Sequence, residues 1–329
     1  MDEGGIGFSV CVDENETVVG VISDGDFRRA ILNGVELDEY VDKIMNRNFL
    51  YVNKNYQKCE VEEIFSGQVQ HVPVLYDGKL LDIITRESFY GIKRKYSRSS
   101  LTNSVVIMAG GKGTRLDPFT RILPKPLIPL GDEPIIEIIM KQFREFGMKN
   151  FYVTLNDKGK MIKAYFHDYD ANYHLNFVEE GKPLGTAGSL KLLQGKLIKT
   201  FFVSNCDIII KSDYTSIFKF HREHGNAITL VGSIHSHTVP YGVCKIKNGG
   251  DLISISEKPE YDFLTNTGFY ILEPEVLTLI PKDIYFDMTA LIKKAQEKKL
   301  RVGVFPVSEK SWIDVGQWAE YNKALINQQ

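Results

Sequence analysis

The sequence lacks a basic excess and a long apolar run, and each absence excludes a class of protein. Its 40 lysines and arginines stand against 42 aspartates and glutamates, for a formal net charge of −2. Because such a chain has no surplus of positive charge to neutralise phosphates, we expect no nucleic-acid partner. No apolar run approaches the ~20 residues of a membrane-spanning helix, and residues 1–4 do not begin a signal peptide. We therefore expect no membrane partner.

Cysteine is also scarce. The four cysteines are scattered without C-x-x-C spacing, at Cys11, Cys59, Cys206 and Cys244. This usage is typical of reduced thiols in the cytoplasm and indicates neither a disulfide framework nor a zinc site. With 329 residues, of which 43% are hydrophobic and 25% charged, the chain is long enough for two ordinary globular domains.

An internal repeat occupies the first ninety-odd residues. Residues 20–27 align with residues 82–89, and each copy has an apolar strand, a polar turn, a second strand and a helix. The second copy has an opening strand and helix in residues 49–70, and the first copy has no counterpart. Either Met1 is not the natural start or the first repeat is truncated. We expect a module over residues 1–92, a polar and basic linker over 93–103 and a second domain over 104–329.

Strands alternate with helices from residue 104 onward. This order predicts an α/β domain with a doubly wound, mostly parallel sheet, in which ligands bind beyond the carboxyl ends of the strands. The apolar patterning predicts strands over 105–108, 151–155, 175–178 and 200–203, and helices over 135–146, 161–169 and 317–326.

A glycine-rich turn follows the first of these strands. Residues 109–116 read A-G-G-K-G-T-R-L, and residues 124–127 read P-K-P-L. Glycines let the backbone approach a ligand closely, and backbone amides in such a turn point at anionic oxygens. The turn has neither the P-loop spacing nor the G-x-G-x-x-G spacing of dinucleotide-binding folds. It predicts a cradle for a triphosphate.

These two motifs together resemble the signature of sugar-1-phosphate nucleotidyltransferases, and the resemblance runs from about residue 104 to the end of the chain. It implies a Rossmann-like, GT-A-like fold and transfer of a nucleotidyl group from a nucleoside triphosphate to a sugar 1-phosphate, with release of pyrophosphate. The reaction joins two anions without a protein nucleophile, so cations and Mg²⁺ should dominate the site.

The resemblance also implies roles for individual residues. Catalysis would fall to Arg115, Lys125 and Lys258. The nucleotide would contact Ala109, Gly110, Gly111, Gly113, Thr114, Gly185, Thr186 and Gly188. The sugar would contact Tyr241, Gly242, Glu257, Asn266 and Thr267. Asp207, which follows a hydrophobic strand, and the distant Asp314 would bind Mg²⁺, a cation that prefers carboxylate and phosphate oxygens. Cys206 replaces the usual glycine of the family's N-G-D pattern, which narrows the space near the metal.

The amino-terminal repeat resembles a pair of CBS motifs, a smaller α+β module that often binds adenine nucleotides. Ser23 and Asp26 keep the family's ribose- and phosphate-binding pattern, whereas the second copy has Thr85 but Ser88 in place of the aspartate. An adenine nucleotide near Ser23 and Asp26 is one interpretation, and a purely structural or dimerising module is the other. A homodimer is the default expectation.

Within the transferases, the amino-acid sequence of the motifs most resembles that of glucosamine-1-phosphate guanylyltransferases of bacterial surface-glycan and nonulosonic (legionaminic) acid synthesis. Mannose-1-phosphate guanylyltransferase, and uridylyl or thymidylyl transfer to glucose 1-phosphate, remain alternatives. A nucleotide-sensing protein without turnover and a Rossmann dehydrogenase are alternatives of another class.

Overall fold

Short strand pairs, each followed by a helix, form the amino-terminal part of the protein. The computed structural model describes residues 7–36, 39–67, 69–90, 100–111, 113–156, 158–167, 172–316, 318, 320 and 321. Up to residue 90 its elements are β1 (Phe8–Val12), β2 (Val18–Ser23), α1 (Asp24–Leu32), β3 (Val52–Asn53), α2 (Lys58–Ser66), β4 (His71–Tyr76), β5 (Lys79–Thr85) and α3 (Arg86–Tyr90).

The predicted repeat is confirmed by the pairing of these strands. β1 pairs antiparallel with β2 and β4 with β5, and a helix follows each pair. The second copy also has β3, parallel to β4, and α2 before it. The apolar face of α2, Val61 and Phe65, is completely buried with Val72 of β4.

The remaining elements begin at residue 104. They are β6 (Ser104–Met108), α4 (Phe119–Ile122), β7 (Pro129–Leu130), β8 (Glu133–Pro134), α5 (Ile135–Glu145), β9 (Asn150–Leu155), α6 (Gly159–Phe166), β10 (His174–Glu179), α7 (Gly185–Gly188), β11 (Phe201–Asn205), β12 (Ile208–Ile210), α8 (Tyr214–Glu223), β13 (Ile228–Thr238), β14 (Val243–Ile246), β15 (Leu252–Ser256), β16 (Glu260–Leu272), α9 (Met288–Glu297), β17 (Val302–Val307) and β18 (Trp312–Asp314). Short 3₁₀ helices lie at Val41–Lys43, Thr114–Leu116, Lys125–Leu127, Ser189–Leu193, Pro274–Leu279 and Glu309–Ser311.

A seven-stranded sheet organises this part of the chain, in the order β10-β9-β6-β11-β16-β13-β17. Strands β10, β9, β6 and β11 run parallel to one another. Strands β13 and β17 also pair in parallel, and β11 pairs antiparallel with β16. Val105, Val106 and Ile107 of β6 are completely buried, as expected of a strand covered on both faces. The predicted α/β fold with a mostly parallel sheet is confirmed.

The predicted helix over 135–146 is α5, whose apolar side chains face the sheet. Phe143 is completely buried and stacks on Phe269 with ring centroids 5.5 Å apart; Phe202 and Tyr214 complete this aromatic core at 6.0 and 5.0 Å from Phe143. The helix predicted over 161–169 is α6, which begins two residues earlier; residues 168 and 169 lie outside the described residues. The helix predicted over 317–326 falls mostly outside them as well.

A buried histidine links α8 to the neighbouring strands. His221 is 1% exposed; its Nδ1 lies 2.8 Å from the Thr229 hydroxyl and its Nε2 3.2 Å from the Glu273 carboxylate. Burial lowers the pKa of His221, although the Glu273 carboxylate opposes the shift. The neutral ring is therefore the form that the native interior holds.

The described chain divides into two compact units. One comprises residues 1–96 with 234–263 and 308–310, and the other comprises 97–233 with 264–307 and 311–329. The hairpin β14–β15 belongs to the first unit, and the core of the large sheet to the second. Among the described residues, none of the helices is both long enough and apolar enough to cross a lipid bilayer.

Candidate active site

The site begins where two parallel neighbours of the large sheet end. Met108, the last residue of β6, lies beside Asn205, the last residue of β11. The glycine-rich turn that follows β6 and the Cys206-Asp207 pair that follows β11 therefore emerge at the same edge of the sheet. This adjacency agrees with the placement that the strand pattern predicts.

A second, very short ladder brings the other predicted metal ligand to Asp207. β12 and β18 pair antiparallel with Ile208 opposite Asp314, and the amide of Val315 donates to the carbonyl of Asp207 at 3.0 Å. The two aspartates, distant in sequence, are thus fixed side by side by backbone hydrogen bonds.

Gly316 marks the point on which the charged groups converge. An added Cβ at this buried glycine would lie 2.7 Å from Asp314 Oδ1, 2.7 Å from Lys125 Nζ and closer still to Asp207 Oδ2. The Gly316 amide donates to Asp314 Oδ1 at 2.8 Å. Two carboxylate oxygens and one ammonium therefore surround a space that a single methyl group would fill.

Two of the three predicted catalytic cations lie at Asp207. Lys125 Nζ donates directly to Asp207 Oδ2, and both side chains are buried. Arg115 is 62% exposed, and its guanidinium lies 3.8 Å from the same oxygen. Since a buried charge is tolerated only when it is paired, Lys125 and Asp207 depend on each other in this structure.

The glycine-rich turn has the properties of an anion cradle. Among the described residues, the amides of Gly110 and Gly111 have no hydrogen-bond partner. Gly113 has a φ of 68°, a left-handed conformation that favours glycine, and an added Cβ there would lie 3.0 Å from Cβ of Lys125. Ala109 is 3% exposed, and its amide donates to the Thr154 carbonyl at 3.2 Å. Thr114 is exposed at the start of the following 3₁₀ helix.

Cys206 is buried beside these charges. Burial raises the pKa of its thiol to about 12, and the neighbouring Asp207 carboxylate adds to the shift. The thiol is therefore protonated at neutral pH, a form that is a poor metal ligand. Cys206 fills space next to Asp207 without offering a competing thiolate.

The sequence analysis missed one carboxylate, Glu180, which follows β10. Its oxygens are the groups that an added Cβ at Gly110 would meet, and its Oε2 accepts from the Leu184 amide at 3.2 Å. Burial raises the pKa of the Glu180 carboxyl above its ordinary value, while hydrogen bonds from Leu184 and Thr154 oppose the shift. An acid placed between the edge strand β10 and the L-G-T-A-G motif at 184–188 was the available signal.

The L-G-T-A-G segment packs against the residues before α9. The amides of Ala187 and Gly188 both donate to the Phe286 carbonyl at 2.9 Å, and the Thr186 hydroxyl accepts from the Met288 amide at 2.9 Å. An added Cβ at Gly185, which has a φ of 80°, would lie 2.8 Å from that same carbonyl. This packing explains why small residues are needed here; nucleotide contact by Gly185, Thr186 and Gly188 stays a prediction.

The predicted sugar contacts fall in both units. In the second unit, Asn266 is exposed, whereas Thr267 is 2% exposed and its hydroxyl donates to the Val231 carbonyl at 2.9 Å. The Thr267 side chain is therefore packed inside, and Asn266 is the exposed side chain of this pair in β16. The Asn266 side-chain amide donates to the Tyr270 hydroxyl at 2.8 Å, and its Oδ1 accepts from the Gly268 amide at 3.2 Å.

The other predicted sugar contacts belong to the first unit. β14 and β15 bring Gly242 and Glu257 together, since an added Cβ at Gly242 would lie 3.0 Å from Glu257 Oε2. Tyr241 and the predicted catalytic residue Lys258 are both exposed, and Lys258 has a φ of 46°. Lys258 thus lies in a different unit from Lys125 and Asp207.

The predicted adenine-nucleotide residues cap a helix. The Ser23 hydroxyl donates to Asp26 Oδ2 at 2.6 Å and accepts from the Asp26 amide at 3.3 Å. Thr85 and Ser88 repeat this arrangement at α3, where the Ser88 amide donates to Thr85 Oγ1 at 3.0 Å. The shared spacing therefore has a capping explanation in both copies, and nucleotide binding at Ser23 and Asp26 stays a prediction.

The two aspartates beside Gly316 are of the type that holds a magnesium ion. Mg²⁺ is usually held by one or two carboxylates, with waters and substrate phosphates completing its coordination. Asp207 and Asp314 supply that number, and the described residues contain no cluster of three or more histidine, cysteine or acidic side chains of the kind that encloses a metal. The donor set suits a cation shared with a phosphorylated substrate.

Two known protein families match the sequence of this chain. A family model described as nucleotidyl transferase matches residues 104–328. The chain belongs to the nucleotidyl transferase family. A CBS domain model matches residues 41–91, and both resemblances drawn from the sequence motifs are thereby confirmed.

Relatives of this nucleotidyl transferase family member include enzymes with different named substrates. A UTP–glucose-1-phosphate uridylyltransferase of Synechocystis is 32% identical in an alignment of 244 residues that covers 67% of this chain and 62% of that protein. A mannose-1-phosphate guanyltransferase of Saccharomyces cerevisiae is 34% identical in an alignment of 234 residues that covers 67% of this chain and 63% of the relative. The chain thus spans about three fifths of the length of these relatives.

A solved structure supports the same family. HddC from Yersinia pseudotuberculosis matches with a TM-score of 0.55 and 25% identity, covering 69% of this chain and 100% of that one. The same protein complexed with GMP-PN matches with a TM-score of 0.53.

Proposed function

We propose that this protein transfers a nucleotidyl group from GTP to glucosamine 1-phosphate in the presence of Mg²⁺, giving a nucleoside diphosphate sugar and pyrophosphate. The observation that carries the proposal is the convergence of Lys125, Asp207 and Asp314 on Gly316. The glycine-rich turn at the same edge of the sheet adds the amides of Gly110 and Gly111, which have no partner among the described residues. This combination of cations, acids and amide donors suits a reaction between two phosphorylated substrates.

The chemistry requires no nucleophile from the protein. An oxygen of the sugar phosphate attacks the α-phosphorus of the triphosphate, and the bond from that phosphorus to the oxygen bridging to the β-phosphate breaks. The electron pair leaves with pyrophosphate. Gly110 and Gly111 donate their amides to the triphosphate, and the exposed Arg115 neutralises its charge. Bound Mg²⁺, held by Asp207 and Asp314, would screen the charge that develops on the leaving group.

Glu180 supports the preference for guanine. A carboxylate accepts two hydrogen bonds side by side, and the Watson–Crick edge of guanine offers two adjacent donors, N1–H and the 2-amino group. Uracil and thymine offer one N–H flanked by two carbonyls, which a carboxylate repels. Glu180 lies against Gly110 of the cradle, and two relatives, one named for guanylyl transfer and one solved with GMP-PN, fit the same base.

The preference for glucosamine 1-phosphate rests on the resemblance of the motifs and on the order of the two modules. On that basis we place the product in bacterial surface-glycan or nonulosonic acid synthesis in the cytoplasm. On the same resemblance we assign sugar contacts to Tyr241, Gly242 and Glu257, which flank the β14–β15 hairpin of the first unit, and a role toward the sugar phosphate to Lys258.

Pyrophosphate release by the purified full chain tests the proposal, in the presence of Mg²⁺ with ATP, GTP, CTP, UTP or dTTP and a panel of sugar 1-phosphates. We expect release with GTP and glucosamine 1-phosphate. Release with GTP and mannose 1-phosphate, or with UTP or dTTP and glucose 1-phosphate, would show that the proposed substrates are wrong and that the proposed type of reaction is right. No release with any pair, on folded protein, would favour a nucleotide-sensing protein.

The base assignment has its own test in Glu180→Gln. A glutamine offers guanine only one acceptor, so we expect the ratio of kcat/KM for GTP to that for UTP to fall by about tenfold to a hundredfold. Because the pKa of Glu180 is raised, kcat/KM for GTP in the wild type should fall as the pH drops through that raised value, and this acid limb should be lost in Glu180→Gln. An unchanged base preference would refute the role of Glu180.

The CBS module is proposed to bind an adenine nucleotide near Ser23 and Asp26 and to alter the activity, and the protein to be a homodimer. Calorimetry with AMP and ATP, and light scattering of the full chain, test these two statements. Absence of binding would leave the capping of α1 as the role of Ser23 and Asp26.

A further inference from the structure

The ion pair between Lys125 and Asp207 is unusual in its burial. The two side chains are only 8% and 9% exposed, and Lys125 Nζ donates directly to Asp207 Oδ2. Most lysine–carboxylate pairs in the described chain are exposed, such as Lys141–Glu133, with side chains 51% and 37% exposed. A lysine is seldom buried to this extent without a specific partner, so the pair calls for an explanation.

The position of the ammonium supplies one. Around Gly316, Lys125 Nζ occupies the same small space as Asp314 Oδ1 and Asp207 Oδ2. A magnesium ion at this site would be held by carboxylate oxygens of Asp207 and Asp314, and the ammonium already donates to one of the Asp207 oxygens. A divalent cation and an ammonium placed on one oxygen would repel each other strongly in a buried site. The two cations therefore compete for Asp207.

We propose that Lys125 is a resident counter-ion of Asp207 and is released when a divalent cation binds. In the nucleotide-free protein the ammonium neutralises Asp207, so the protein alone binds the metal weakly. Once released, the ammonium is free to meet an incoming phosphate. The inference rests on the proposed metal role of Asp207 and Asp314, and it adds an order of events: the cation binds tightly only together with the triphosphate.

Metal binding to the nucleotide-free full chain tests this exchange without any turnover. Mn²⁺ serves as the probe, since its free concentration can be followed by electron paramagnetic resonance, and Mg²⁺ calorimetry repeats the measurement. We expect Lys125→Met to bind Mn²⁺ about tenfold to a hundredfold more tightly than the wild type, the range that corresponds to loss of one hydrogen bond between charged groups. Lys141→Met removes one positive charge from an exposed pair and should leave the affinity unchanged.

Lys125→Met leaves the buried Asp207 carboxylate with only the largely exposed Arg115 guanidinium, 3.8 Å away, as a counter-ion, so the variant can be unstable in the absence of metal. That instability supplies a second measurement. Mn²⁺ should raise the melting temperature of Lys125→Met more than that of the wild type, because the cation replaces the missing counter-ion. Adding Asp207→Asn to Lys125→Met removes the uncompensated charge, and the double variant should bind Mn²⁺ no more tightly than the wild type.

Two results would overturn the exchange. One is a Lys125→Met protein that binds Mn²⁺ as weakly as the wild type or more weakly, with no larger gain in melting temperature. The other is tight binding that persists in the double variant, since the metal would then lie away from Asp207. Pyrophosphate release by the wild type is measured separately, so failure of the exchange can be distinguished from failure of the proposed reaction.

Discussion

A methyl group added at Gly316 enters the space between the charged groups of the site. In Gly316→Ala, the new Cβ would lie 2.7 Å from both Asp314 Oδ1 and Lys125 Nζ and nearer still to Asp207 Oδ2. Ordinary contacts are longer, so these atoms must move by about 0.7 Å or more. The glycine has no positive φ, so alanine suits the backbone itself and the effect falls on the three side chains.

We expect kcat for pyrophosphate release to fall by about tenfold to a hundredfold, since displacement of reacting groups by about 1 Å costs on that order. The free energy of unfolding should fall by only about 1–3 kcal/mol, as overpacking usually does. Gly181→Ala is the matched control, because an added Cβ there meets nothing within 4 Å and Gly181 has no positive φ. Urea unfolding shows whether Gly316→Ala is folded. If the folded variant has the same kcat and the same metal dependence as the wild type, the convergence of these groups on a catalytic cation is refuted.

Three further predictions concern the metal ligands, the buried histidine and the core. Asp207→Asn and Asp314→Asn should each lower kcat by at least about a hundredfold with unchanged circular dichroism, and undiminished activity in both would remove the metal assignment. Because burial lowers the pKa of His221, this side chain is protonated in the unfolded chain but not in the native state as the pH falls below about 6.5. Acidification therefore favours unfolding. Urea midpoints at pH 7.5 and 5.5 should therefore drop more for the wild type than for His221→Asn, and equal drops would contradict a buried neutral ring. Phe143→Ala should lower the free energy of unfolding by about 3–5 kcal/mol, whereas the 77% exposed Ile198→Ala should change it by less than about 0.5 kcal/mol.

Much of the fold was predictable because its signal is local. Strand β6 is an uninterrupted apolar run that ends in glycines, and α5 repeats apolar side chains at helical spacing. The amino-terminal repeat could be recognised because residues 20–27 align with residues 82–89 and both copies have the same order of apolar strand, polar turn, second strand and helix. Signals of this kind depend on neighbouring residues alone.

The assembly of the site depends on contacts that periodicity does not encode. β12 and β18 have three residues each, too few to show an alternating pattern, and yet their pairing places Asp314 beside Asp207. The family resemblance implies a catalytic role for Lys125, and nothing in the sequence indicates that it pairs with Asp207. The sequence likewise predicts nucleotide contacts for the glycines of the L-G-T-A-G segment. Their close approach to residues 284–287 could not be predicted, because it joins segments far apart in the chain.

Analysis of the products that the wild-type protein forms shows whether it transfers a nucleotidyl group to a sugar phosphate at the Asp207–Asp314 pair. The full chain is incubated with GTP, glucosamine 1-phosphate and Mg²⁺, and the mixture is separated by chromatography with mass detection. We expect a nucleoside diphosphate sugar and pyrophosphate in equal amounts, and neither product when the metal is chelated. Hydrolysis of GTP without a sugar nucleotide, or equal product formation with the metal removed, would contradict this expectation.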